Sequence, residues 1–84
     1  MPCICEFDGI QIYMYDNEHR PPHFHVFARG EGAVVDIHTL RVSAGRLARA
    51  DRRRVLGWAS KRQQELLRNW ERIEHKQKLE RIEP

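Results

Sequence analysis

The chain has little with which to staple a fold. Its two cysteines, Cys3 and Cys5, are too close for an ordinary framework disulfide. A reducing cytoplasm suits such a chain. No apolar run approaches the roughly 20 residues of a membrane span, and the N-terminus lacks the charged-then-apolar order of a signal peptide, so an unexported protein is expected. There is no internal repeat and no low-complexity tract. A length of 84 residues leaves room for one domain and excludes a two-domain enzyme with a separate cofactor fold. A domain this small buries only about 60 to 65% of the surface its unfolded chain exposes, so stability is expected to lean on a partner or ligand. Charge of one sign is also in short supply. Fifteen Lys and Arg stand against twelve Asp and Glu, a net charge of +3, although twelve of those cations are arginine and they are unevenly placed. The excess permits attraction to phosphate or to an acidic partner without choosing between them.

What is present divides into a β-rich half, residues 1–45, a long helix within 46–75, and a charged tail, 76–84. Ile10 to Tyr15 alternate, with Ile10, Ile12 and Met14 on one side and Gln11, Tyr13 and Tyr15 on the other. The Asp16 to Pro22 stretch breaks the pattern, because Pro21 and Pro22 offer no backbone donors and restrict the residues before them. His23 to Ala28 and Ala33 to His38 alternate again, joined by a turn over Arg29-Gly30-Glu31-Gly32. Edge strands are expected near Ile4–Phe7 and Arg41–Ser43. A helix beginning between Ala48 and Asp51 and ending near Glu74 follows from the spacing of Val55, Leu56, Ala59, Leu66, Trp70 and Ile73, with Arg54, Lys61, Arg68 and Arg72 opposite. Leu79 and Ile82 offer the tail a grip on the domain. The expected fold is α+β: an antiparallel sheet of three to five strands packed on one long helix.

If the apolar strand faces meet the helix, the other sheet face collects Gln11, Tyr13, Tyr15, His23, His25, Phe27, Asp36 and His38. Such a face is often a plain solvated surface. Three histidines, two tyrosines and an aspartate together also suit an acid–base site or a binding platform. His23 and His25, two apart on a strand with Cα atoms about 6.7 Å apart, can flank one phosphodiester or share a metal. His19 can assist only if the loop after Glu18 doubles back. Cleaving RNA requires a group to take the 2′-hydroxyl proton, another to protonate the leaving oxygen, and a cation at the phosphate. Histidine and arginine suit those tasks without a cofactor. Zinc on the histidines is the alternative. Cys3 and Cys5 fit better as small buried side chains than as ligands. Tyr13 and Tyr15, with Phe27, can stack bases, which makes a non-catalytic reader of single strands a further possibility. Arg46, Arg49, Arg52, Arg53 and Arg54 crowd the start of the helix, where like charge is mildly unfavourable, and Arg49, Arg52, Arg53 and Arg54 are the candidate phosphate contacts. Trp58 and Trp70 are read as packing residues.

The segment Asn17-Glu18-His19-Arg20-Pro21-Pro22-His23-Phe24-His25-Val26 resembles the bacterial domain-of-unknown-function family 4160. So do the opening Met1-Pro2-Cys3-Ile4 before Phe7-Asp8-Gly9-Ile10, the Asp36-Ile37 strand, Gly45-Arg46-Leu47, and Trp58 followed by Glu65-Leu66-Leu67 and Asn69-Trp70. The resemblance implies a compact α+β domain, often encoded beside a second small protein, the two labelled a toxin–antitoxin pair. Ala48 stands where the family often has proline, and Cys3 and Cys5 where it often has other residues. The expectation is a toxin-like component acting on nucleic acid, RNA before DNA, through His23, His25 and His19. The expected partners are a small cognate protein and nucleic acid, with a second copy of the chain as an alternative. The alternatives are a non-catalytic component that binds a partner or DNA, and a small metal-binding protein.

Overall fold

The computed structural model describes residues 3–84; Met1 and Pro2, part of the family-like opening, lie outside the described residues. Five strands, β1 (Cys3–Phe7), β2 (Ile10–Tyr13), β3 (His23–Ala28), β4 (Glu31–Asp36) and β5 (Val42–Gly45), precede one helix, α1 (Arg49–Glu74). The strands form one antiparallel sheet in the order of the chain. Two hairpins set the register. Asp8 and Gly9 have φ of 52° and 75°, and Arg29 and Gly30 have 49° and 79°, the paired positive values whose twist matches flanking strands. Phe7 therefore faces Ile10, and Ala28 faces Glu31. The second turn is thus the Arg29-Gly30 pair alone, and Glu31 and Gly32 belong to β4 rather than to a four-residue turn.

The alternation decides which face is buried. Ile10, Ile12, Met14, Phe24, Val26, Val35 and Ile37 are at most 1% exposed and join Val55, Trp58, Ala59, Leu66, Trp70 and Ile73 of α1 in one core. The outward set, Gln11, Tyr13, Tyr15, His23, His25, Val34 and Asp36, is half-buried, with Phe27 exposed. Strand ends differ from the expected ones. β2 stops at Tyr13, although the burial pattern continues to Tyr15. β4 stops at Asp36 because the Asp36 carboxylate accepts the N–H groups of His38 and Thr39, each at 2.8 Å, and turns the chain out of the sheet. β5 runs from Val42 to Gly45, beginning one residue and ending two residues beyond the expected edge strand.

The helix start falls in the expected window, so residues 46–48 are not helical, and Ala48 provides no side-chain cap. Asp51, 2% exposed in the first turn, is held by Arg29 at 2.8 Å and by Arg54 at 3.5 Å. Arg29 also donates to the Asp8 carbonyl at 3.0 Å, so one guanidinium ties both hairpin turns to the helix. The helix is interrupted at Arg62, whose φ of −118° and ψ of 15° are not helical. Beyond Glu74, Lys76 takes a φ of 56°, while its N–H bonds to Ile73 O and that of Gln77 to Arg72 O, a turn that sends the chain back. The tail is clipped as the sequence implied. Ile82 is 5% exposed and donates to Ile4 O at 2.8 Å, and the buried amide of Asn69 both donates to and accepts from the Glu80 backbone. Trp58 Nε1 donates to Glu83 O at 2.8 Å. Among the described residues no helix is long and apolar enough to cross a membrane.

Candidate functional site

β3 sets His23 and His25 on the open face, and the loop before it brings a third group to them. Glu18 Oε1 lies 3.2 Å from His23 Nε2 and 2.5 Å from His25 Nε2. The doubling back that the sequence required for His19 does take place, but it delivers its neighbour. His19 is exposed and lies outside the cluster of metal-capable side chains among the described residues. Alternation cannot reveal this exchange, because the loop from Asp16 to Pro22 has no periodicity. The one available signal was a carboxylate beside the histidine motif.

Several contacts fix the loop. Arg20 donates to both carboxylate oxygens of Glu74, at 2.8 and 3.0 Å, and Glu74 also accepts from Trp70 Nε1 at 3.1 Å. Pro22 O accepts the Ile37 N–H at 3.0 Å, and Pro21 O lies 2.7 Å from His23 Nδ1. A carbonyl only accepts, so His23 Nδ1 carries the proton and Nε2 is turned toward Glu18. The Trp70 ring lies 5.2 Å from the His23 ring, so the helix layer reaches the rim of the histidine face at this point.

Burial alone would raise the Glu18 carboxyl, but hydrogen bonds from His25 and His23, and their charge, outweigh it and hold the group below its ordinary value. Burial pushes the Tyr15 phenol up, and Tyr13 and Glu18 act in the same direction, so it remains a neutral donor. Burial likewise pushes the Cys5 thiol up, against smaller opposing effects from the Glu6 backbone and Arg81. Neither cysteine is among the clustered ligands, and Cys5 sits in the core.

The remaining candidates divide. Tyr15 packs edge-on against His25 at 4.8 Å and stacks with Tyr13 at 5.8 Å, and Tyr13 meets Phe27 at 5.5 Å, so the aromatic row runs directly from the histidines. Phe27, 40% exposed, lies across Gly32, whose missing side chain leaves room for the ring. Asp36 pairs with His23 across the strands, but its carboxylate is committed to its turn, and His38 is exposed in that turn rather than on the face. Arg49, Arg52, Arg53 and Arg54 are exposed at the helix start, which Arg29 ties to the β3–β4 turn. That turn is the far end of β3 from His23, about 16 Å away along the strand. The arginines and the histidines are therefore two separate areas. A groove lined by Cys3, Ile4, Asp16, Asn17, Ile73 and residues 76–81 is distinct from the histidine cluster.

No curated protein and no solved structure matches the chain. The family model described as Domain of unknown function (DUF4160) matches residues 9–71, a span that contains Glu18, Pro21, Pro22, His23 and His25, and the chain belongs to that family.

Proposed function

We propose that the protein is the toxin-like component of a bacterial two-protein module and acts on nucleic acid, RNA before DNA, through the face that carries His23 and His25. The observation that carries this reading is the convergence of both imidazoles on Glu18 at one end of the aromatic row Tyr15, Tyr13 and Phe27. An open face suits a polymer better than a small enclosed ligand, and aromatic rings on a sheet accept bases of any identity by stacking. RNA is preferred because its 2′-hydroxyl needs only proton management. That proton is taken up at the cluster, the 2′-oxygen bonds to phosphorus, the bond from phosphorus to the 5′-oxygen breaks, and the departing oxygen receives a proton. Glu18 and the two histidines supply the acceptor and the donor, as free imidazoles or through a bound ion, and the substrate is the same in both cases. Arg49, Arg52, Arg53 and Arg54 serve as a second contact for a strand that continues past the face. The cysteines are free, in keeping with a reducing cytoplasm.

The partner in this reading is the small protein encoded alongside, which covers the exposed aromatic face and raises the thermal stability of the complex. The test is inducible expression of the chain alone and with its neighbour, followed by growth and RNA and DNA integrity measurements. Expected is growth arrest with fragmented RNA, relieved by the neighbour and abolished in the His23→Ala/His25→Ala variant. Arrest with intact nucleic acids would overturn the nuclease reading and leave a non-catalytic binding role.

A further inference from the structure

We propose that Glu18, His23 and His25 form a site for one divalent transition-metal ion, zinc by the chemistry of the donors. The argument begins at Pro21. Its carbonyl fixes one proton of His23 on Nδ1 and so turns Nε2 toward Glu18 Oε1, 3.2 Å away. In the metal-free protein a shared proton bridges such a pair, and a metal ion bound by both atoms takes the same place. His25 Nε2 reaches the same oxygen, and all three ligand atoms lie within 4.8 Å of one another. A ligating imidazole whose other nitrogen donates to a backbone carbonyl is the usual arrangement around protein-bound metals, because that bond sets both the tautomer and the ring orientation.

The donors are held in place before any ion arrives. His23 and His25 are fixed by β3, His23 leans on Trp70, His25 leans on Tyr15, and the Arg20–Glu74 pair secures the loop that carries Glu18 and Pro21. Zinc bonds of about 2.0–2.1 Å in tetrahedral geometry place neighbouring ligand atoms about 3.3 Å apart. The His23–Glu18 separation of 3.2 Å is already there. The His25–Glu18 pair, drawn closer by a hydrogen bond, opens by less than about 1 Å when the ion replaces the shared proton. Two nitrogens and one carboxylate suit zinc, whereas calcium and magnesium prefer oxygen alone. The side chains of His23, His25 and Glu18 remain 15, 24 and 27% exposed, so a fourth position is open to water or substrate. This inference shares its site with the proposed function, and takes from it only the identity of the substrate.

The test uses the full chain without an affinity tag, stripped with chelator, shown to be folded by circular dichroism and titrated with zinc by calorimetry. One zinc per chain is expected. His23→Ala and His25→Ala each weaken binding by about 100-fold or more, Glu18→Gln by about 10- to 100-fold, and His19→Ala leaves it unchanged. Cobalt replacing zinc gives the visible absorption of a tetrahedral site in the parent chain and not in His25→Ala. Where an alanine variant fails to fold, His23→Gln or His25→Asn takes its place. Absence of saturable zinc binding to the folded chain, or binding that survives loss of both histidines, overturns the site. RNA left intact by zinc-loaded protein overturns the proposed function and leaves the metal site standing. RNA cleaved at full rate in excess chelator overturns any part for the ion in that reaction.

Discussion

At Glu18, burial favours the neutral acid while His25 and His23 favour the anion, and the histidines win. A carboxyl held below its unfolded value contributes stability that is fully present above that value, about 4.3, and is lost as pH falls through the folded one. Urea unfolding in the presence of chelator should therefore find the parent chain more stable than Glu18→Gln by about 1 kcal/mol near neutral pH, the gap closing in acid. An equal gap at every pH would mean that the carboxylate contributes through packing alone. Cys5 gives a second test at this scale. Its thiol is in the core and shifted up by burial, so a thiol-specific reagent should modify half-buried Cys3 in the native state and Cys5 only after unfolding. His23 and His25 were legible in the sequence because a period of two fixes their face. Glu18 was not, since its place depends on how Pro21, Pro22 and the Arg20–Glu74 pair fold an aperiodic loop. His38 was misplaced for a related reason: alternation continues on paper past Asp36, which keeps its place on the face but whose carboxylate turns the backbone away.

The elements are decided by burial pattern in their middles and by single residues at their ends. Gly45 and Gly30 have nearly equal φ, 74° and 79°, but a Cβ on Gly45 would lie 2.2 Å from Gly32 O, whereas on Gly30 it would meet nothing within 4 Å. Gly30→Ala should cost about 1 kcal/mol for the backbone alone. Gly45→Ala should cost about 3 kcal/mol, because β5 must also move off β4. Similar losses for the two in chemical denaturation would contradict the close approach. Within α1 the apolar stripe was readable, but Asn69, a polar residue set among Leu66, Trp70 and Ile73, went unread although it marks where the tail docks. Asn69 is fully buried and grips the Glu80 backbone, with Arg72 donating to it at 3.0 Å. Asn69→Ala should lower stability by about 2 kcal/mol and speed amide exchange at Glu80 and Ile82. Unchanged exchange there would show that Ile82 alone holds the tail. The Asp8-Gly9 pair is a turn signal that the sequence reading passed over, and it fixes β1 against β2.

Across the molecule, the arginine cluster at the start of α1 and the imidazole cluster on β3 occupy different regions. Any strand that uses both must run the length of β3 and round its end. On the proposed function, replacing Arg52 and Arg53 with alanine should weaken RNA binding and flatten its logarithmic salt slope by about 1.4, at roughly 0.7 per phosphate contact on a single strand, without altering cleavage at saturating substrate. An unchanged slope would move the phosphate contacts elsewhere. The two margins of the sheet also differ. Beside β1 the tail donates from Ile82 to Ile4 O, and Arg81 reaches Cys3 O at 3.2 Å, whereas among the described residues nothing pairs along the outer margin of β5. A fibre requires each unit to join on both sides. With the start of β1 covered by its own chain, edge-to-edge pairing finds its freer template at β5, and growth from both margins at once is hindered.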